Sequence, residues 1–149
     1  MNPSPMTVVH GDFHPGNVVW LSDDPVVPVR IIDWEEVGVG SGPQELARFL
    51  IFMGVLDHAE TRMSIQKDLV RAYYDELVRV NSSIADNFSY DDCFRQFVIG
   101  GMRDSMRWLP VTVKWKPDIA DYLVNQLETF RDMHGLQSEM LRYPSSDSV

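Results

Sequence analysis

The chain is short of cysteine, of basic charge and of long apolar runs, and each shortage excludes a class of protein. Cys93 is the only cysteine in 149 residues, so neither an intrachain disulfide nor a two-cysteine zinc knuckle can form. Thirteen basic against 22 acidic residues give a net charge of −9, the wrong sign for a protein that grips nucleic-acid phosphates. The longest apolar run is about five residues, far below the roughly 20 that a membrane span needs. With no signal-peptide pattern at the N-terminus, we expect a cytoplasmic protein without nucleic-acid or membrane partners.

The composition itself is that of a folded domain, with 44% hydrophobic and 11% aromatic residues. Short β-branched and apolar segments predict three strands, and a Pro- and Asp-rich turn joins the last two into a hairpin. These segments are Thr7–His10, Val18–Leu21 and Val29–Ile32, with the turn at Ser22–Pro28. The Gly-rich stretch Gly38–Gly42 is predicted to break the strand pattern.

Helical periodicity follows the glycines and predicts four helices. The first spans roughly Pro43–Leu56 and the second Arg62–Val80. A capping motif at Ser89 opens the third, and Pro110 is predicted to end it because proline disrupts helix interiors. The fourth begins near Pro117. The fold class is therefore α+β and mostly α: a short β platform, then a region resembling a four-helix bundle.

Two polar motifs on this platform carry chemistry: HGDFHPGN at positions 10–17 and IIDWEE at positions 31–36. Transfer of a γ-phosphoryl group requires a carboxylate that takes the proton of the attacking hydroxyl, and oxygen ligands that hold Mg²⁺ beside the phosphates. The protein-kinase template places Asp and Asn five residues apart on one loop, and a second Asp after the next hairpin. Asp12, Asn17 and Asp33 stand in this order and at this spacing.

The pattern His-Gly-Asp-x-His-x-x-Asn followed by Ile-Asp-Trp is similar to that of the aminoglycoside phosphotransferase and choline kinase-like family, whose fold is protein-kinase-like. The resemblance covers roughly Val8–Phe52. It implies a kinase that uses ATP or GTP with Mg²⁺ or Mn²⁺ and phosphorylates a hydroxyl of a small molecule. Carried over residue by residue, it implies Asp12 as the catalytic base and Asn17 and Asp33 as metal ligands.

The resemblance also implies residues that support this site. By this resemblance His10 fixes the loop, and we interpret His14 as a hydrogen-bonded loop residue rather than a catalyst. Glu45 begins the counterpart of the family's Asp-Leu-Ala element, which opens the next helix and braces the catalytic loop; Glu in place of Asp is a departure. Glu35 and Glu36 either reach a second metal or a cationic substrate, or form a solvated pair.

Two other interpretations stay open. The alternating His10, Asp12 and His14 could belong to a metal-dependent hydrolase, although His58 and His134, the remaining histidines, have no ligand spacing. The chain could also be a non-catalytic remnant of the kinase fold that acts as a binding module.

A kinase of this type also needs an N-terminal lobe with a lysine on the α- and β-phosphates. The lysines, at positions 67, 114 and 116, all follow Asp12, and only nine residues precede His10. We therefore expect a kinase-like C-terminal lobe over residues 1–142, with the catalytic loop at 8–17, the hairpin at 18–33 and the helices at 43–142. Residues 143–149 are predicted to be a flexible tail. The N-lobe would be supplied in cis or in trans, or the chain self-associates.

The glycines at 38–42 lack the Gly-x-Gly-x-x-Gly spacing of a phosphate-binding loop, since Pro43 occupies the third glycine position. We interpret Gly38–Gly42 as a linker that replaces an activation segment.

Overall fold

The computed structural model describes residues 4–21, 28–52 and 59–115, together with positions 121, 124, 125, 127, 128 and 131. It divides into two compact units, Met1–Gly101 and Met102–Val149. The motifs at positions 10–17 and 31–36 both belong to the first unit. That unit is mixed α and β, and most of the described chain is helical.

The described part of the first unit contains two small antiparallel sheets. Strand β2 (Val18–Trp20) pairs with β3 (Val29–Ile31), so the predicted hairpin is confirmed, with strand ends within a residue of those expected. Strand β1 (Met6–Val9) pairs with β4 (Gly38–Ser41). Most of the turn predicted between β2 and β3 lies outside the described residues.

Strand β4 corrects the prediction that the glycines break the strand pattern. Its register places Val39 opposite Val8 and Gly40 opposite Thr7. A Cβ atom on Gly40 would lie 3.0 Å from the Val9 side chain, so glycine permits the two strands to approach. Pairing with β1 supplies the backbone hydrogen bonds that override the low strand propensity of glycine.

Three helices follow in the described residues: α1 (Gly42–Phe52), α2 (Ala59–Val80) and α3 (Tyr90–Trp115). The predicted end of the first helix, near Leu56, lies outside the described residues. The capping motif is confirmed, because the Asp92 N–H donates to Ser89 Oγ at 3.1 Å and the Ser89 N–H to Asp92 Oδ2 at 3.4 Å.

The prediction that Pro110 ends the third helix is wrong, because α3 continues through it to Trp115. Proline removes a single backbone hydrogen bond and costs about 3 kcal/mol in a helix interior, which the turns on either side can offset. The predicted start of the fourth helix at Pro117 lies outside the described residues, as does the tail at 143–149. Positions 121, 124, 125, 127, 128 and 131 are helical.

Close packing in the first unit fixes helix α1, which carries the residues behind the candidate site. Gly100 of α3 lies against α1, and a Cβ atom there would be 2.5 Å from Gln44 Cα. Gly42 at the start of α1 lies against the hydroxyl of Tyr73 on α2 in the same way. The buried core of this unit lies on α1, α2 and α3 and in the segment before α3: Ala47, Leu50, Val70, Phe88, Cys93, Phe97 and Val98.

Apolar side chains are also exposed, on the strands as well as on the helices. Val8 and Val39 face each other across β1 and β4 and are 69% and 71% exposed, and Trp20 on the hairpin is 76% exposed. Within the described ranges, no helix combines the length and the apolar character that crossing a membrane requires.

Candidate active site

The loop between β1 and β2 is held by two hydrogen bonds to one carboxylate. Glu45, in the first turn of α1, accepts the His10 backbone N–H at Oε2 (2.9 Å) and the Gly11 N–H at Oε1 (2.5 Å). Both oxygens are used, so the side chain holds two successive peptide groups. The longer Glu, which departs from the family's Asp, thus reaches the loop in this chain.

The His10 imidazole ties the loop to the end of β3. It is only 3% exposed, and its Nε2 lies 2.8 Å from the Ile32 carbonyl oxygen. Because a carbonyl can only accept, Nε2 carries the hydrogen, and Nδ1 accepts the Asp12 N–H at 3.3 Å. The Trp34 ring packs against it at 4.6 Å between centroids. His10 therefore acts as a structural link between the two motifs.

Gly11 allows the loop to pass close to the short helical turn Trp34–Glu36. Its φ of +87° lies in the left-handed region, and a Cβ atom would stand 2.1 Å from the Glu36 carbonyl oxygen. No other residue fits this backbone without displacing it. The His-Gly-Asp spacing thus has a steric cause.

Asn17 joins the loop to the second motif. Its buried side chain donates from Nδ2 to the Asp12 backbone carbonyl at 3.0 Å. The backbone carbonyl of Asn17 accepts the Ile32 N–H at 3.0 Å. Ile32 directly precedes Asp33, so this bond brings Asn17 and Asp33 to neighbouring positions. Asp33 is exposed, adopts a left-handed conformation with φ 66°, and does not use its carboxylate to cap the turn that follows.

The Asp12 carboxylate is 40% exposed and lies between two nitrogen donors. Its Oδ1 is 3.3 Å from an Arg48 guanidinium nitrogen, and its Oδ2 is 3.4 Å from His14 Nε2. The His14 ring is oriented in turn by the Gly16 N–H, which donates to Nδ1 at 3.1 Å. A carboxylate that is reachable from solvent and fixed on both oxygens can take a proton from a bound hydroxyl.

The chemistry of the donor set at Asn17 and Asp33 suits Mg²⁺ or Mn²⁺. An amide oxygen and a carboxylate on adjoining segments are hard ligands, and Mg²⁺ commonly takes one or two carboxylates together with phosphate and water oxygens. Across the described ranges, no three His, Cys, Asp or Glu side chains gather as a metal site. A protein-only metal cage is therefore not formed by those residues.

Glu35 and Glu36 lie on the turn after Asp33, and both are exposed. The backbone carbonyl of Glu36 lies beside Gly11 of the loop. The two alternatives for this pair, a second metal or cationic substrate site and a solvated pair, both remain open.

A cavity of about 440 Å³ lies behind the loop. It is lined mainly by apolar side chains, with His10, Glu45 and Tyr73 among the polar ones. Burial raises the pKa of the Tyr73 hydroxyl to about 12. Asp12, Asn17 and Asp33 do not line this cavity, so it is separate from the proposed chemistry.

Sequence reasoning missed Arg48 and the contacts of Trp34. The Arg48 side chain is 9% exposed and reaches the Gly11 carbonyl as well as Asp12. Trp34 donates from Nε1 to the Ile31 carbonyl at 2.9 Å and covers His10. The one available signal for Arg48 was its place three residues after Glu45, about one helical turn along α1.

These features define the class of protein: an α+β domain whose first loop joins an Asp, an Asn and a hairpin that ends in a second Asp. The family model for the phosphotransferase enzyme family matches residues 1–80, more than half of the chain. The chain belongs to this family, which confirms the resemblance to aminoglycoside phosphotransferases. Comparison with curated proteins and with solved structures found no match.

Proposed function

We propose that this chain carries the catalytic loop of an ATP- or GTP-dependent kinase that phosphorylates a hydroxyl of a small molecule. One observation carries the proposal: Asn17 hydrogen-bonds both Asp12 and Ile32, and so links the two acidic positions of the motif. The family match over residues 1–80 supports the same class of reaction.

In this proposal Asp12 is the base. The acceptor hydroxyl oxygen forms a bond to the γ-phosphorus while the bond from that phosphorus to the β–γ bridging oxygen breaks. The bond pair leaves on the nucleoside diphosphate, and the hydroxyl proton passes to the free side of the Asp12 carboxylate. His14 and Arg48 hold that carboxylate in place.

Asn17 and Asp33 would hold Mg²⁺ or Mn²⁺, which neutralises charge on the phosphates when it is bound. Asn17 is suited to this role because its Nδ2 is fixed on the Asp12 carbonyl, which orients its amide group. Asp33 is suited because its carboxylate is exposed.

The proposal also assigns this chain to one of the two lobes of a kinase. The chain serves as a protein-kinase-like C-terminal lobe, and the lobe that grips the nucleotide is supplied in cis or in trans. Lys67 is the one lysine in the first unit. It is exposed on α2 and lies far from Asp12 in the sequence.

Substituting Asp12 tests the reaction. With the nucleotide-binding lobe supplied, Asp12→Asn should lower phosphoryl transfer by about 10²–10⁴-fold, the range for a positioned base. Nucleotide affinity should stay the same, because Asp12 faces the acceptor. The control is Asp86→Asn, an exposed position outside the site. Transfer that Asp12→Asn leaves intact would assign the base elsewhere. No transfer by the wild type, across alcohol substrates, would favour the non-catalytic binding module.

Substituting Asp33 tests the metal. Mn²⁺ titrated into the full chain should bind weakly, since phosphate ligands are missing without nucleotide. Asp33→Ala should weaken that binding further, and Asp86→Ala should not. Equal Mn²⁺ affinity in the wild type and Asp33→Ala would remove Asp33 from the site.

A further inference from the structure

Helix α1 presents a second charged side chain to the loop, at the peptide group that follows those held by Glu45. Glu45 accepts the Gly11 N–H, and Arg48 donates from a terminal nitrogen to the Gly11 carbonyl. The same Arg48 nitrogen lies 3.3 Å from Asp12 Oδ1. The peptide groups on both sides of Gly11 and the carboxylate that follows are therefore fixed by one helix.

We propose that Arg48 is a positioning residue for phosphoryl transfer: it fixes Asp12 Oδ1 and so directs Oδ2 toward the acceptor hydroxyl. This inference rests on the proposed function, in which Asp12 is the base. It adds a residue to that site which no motif of the sequence singled out.

The burial of the two partners supports a role beyond stability. The Arg48 side chain is 9% exposed, whereas the Asp12 side chain is 40% exposed. The buried guanidinium restricts the rotation of the Asp12 carboxylate, and the exposure of that carboxylate leaves it accessible to a substrate.

The two oxygens of Asp12 then have different tasks. Oδ1 is held by a guanidinium, which is always charged and keeps its donors in a fixed plane. Oδ2 lies 3.4 Å from Nε2 of His14, whose side chain is 35% exposed, so a substrate hydroxyl can reach this oxygen more easily than the one held by the buried Arg48.

Arg48→Met and Arg48→Lys test the proposal, with Arg71→Met as the matched control. Arg71 is also a helical arginine beside an aspartate, but it lies on α2 next to Asp75 and Tyr90. With the nucleotide-binding lobe supplied, Arg48→Met should lower kcat by about 10–100-fold, since small misplacements of a reacting group have effects of this size. KM for the nucleotide should change less than about twofold, because the interactions that bind the ground state and the transition state equally well are not affected. Arg48→Lys should recover part of kcat, and Arg71→Met should leave it unchanged.

Coupling to Asp12 separates positioning from a general loss of structure. In the Asp12→Asn background, Arg48→Met should lower kcat by less than about threefold, because residues acting as a unit are not additive. An unchanged kcat in Arg48→Met, or a full further loss in the Asp12→Asn background, would overturn the proposal. If Arg48→Met does not fold, the same comparison is made with Arg48→Gln.

Amide hydrogen exchange gives a readout that needs no activity, so it distinguishes this proposal from the proposed function. In Arg48→Met the Asp12 amide, which donates to His10, should exchange at least several-fold faster, and core amides such as that of Val70 should not change. If the wild type transfers no phosphoryl group, the proposed function fails, yet faster exchange would still show that Arg48 holds the loop. Unchanged exchange would show that it does not.

Discussion

Replacing Glu45 by alanine removes the carboxylate that accepts two successive N–H groups, those of His10 and Gly11, at 2.9 and 2.5 Å. A hydrogen bond to a charged group contributes about 1.5–3 kcal/mol, so the pair sets an upper limit of roughly 3–6 kcal/mol. Water can reach the half-buried loop and replaces part of this in the variant. We therefore expect Glu45→Ala to lower the free energy of unfolding by about 2–4 kcal/mol.

Two conservative variants show how much of this loss of stability comes from the two acceptor oxygens and how much from the length of the side chain. Glu45→Gln keeps one acceptor oxygen but places an NH₂ group against the other N–H, so its stability should lie between those of the wild type and alanine. Glu45→Asp keeps the charge but shortens the reach by one methylene. It should retain only part of the stability, because both oxygens of the longer side chain are used here.

Urea unfolding followed by far-ultraviolet circular dichroism measures these differences, with the slope m compared to check that the same surface unfolds. Glu76→Ala is the matched control, because Glu76 is an exposed helical glutamate that accepts hydrogen bonds from Arg79 on its own helix. Surface pairs of this kind contribute little. A Glu45→Ala variant as stable as Glu76→Ala would refute the conclusion that this carboxylate holds the loop.

The proximity of the two motifs could be predicted from the sequence because their geometry is local. Asp12 and Asn17 lie on one short loop, and the side chain of one bonds the backbone of the other. The hairpin between Asn17 and Asp33 is also local, so its strand pairing returns Asp33 to the loop. Residue spacing alone was therefore enough to bring the three positions together.

Most of the features that could not be predicted depend on contacts between residues that are far apart in the sequence. Arg48 contacts Asp12 across 36 residues, and the one signal for that contact in the sequence is the position of Arg48 three residues after Glu45. Strand β4 is a strand because β1 pairs with it, although its glycines argue for a loop. Pro110 does not end the helix, for a different reason: the helical hydrogen bonds on both sides of it outweigh its local effect.

Two further predictions concern the backbone and the core of the first unit. In urea unfolding, Gly11→Ala should lower the free energy of unfolding by about 2–4 kcal/mol, because φ at Gly11 is left-handed and a Cβ atom would stand 2.1 Å from the Glu36 carbonyl oxygen. For the control Gly38→Ala, a Cβ atom would be 3.9 Å from its nearest neighbour, so the free energy of unfolding should stay within about 1 kcal/mol of that of the wild type. Burial raises the pKa of the Cys93 thiol from 9.0 to about 12, and that of the Tyr73 hydroxyl from 10.0 to about 12. The folded chain thus holds both protons more tightly than the unfolded chain, so this contribution to stability is complete below pH 9 and is lost as the pH rises toward 12. Urea midpoints should therefore fall steadily above pH 9, and Cys93→Ala should reduce the fall between pH 9 and 10, where the unfolded chain loses the thiol proton ahead of the Tyr73 hydroxyl proton. Midpoints that stay level or rise over this interval would show that the thiol is not held neutral by the core.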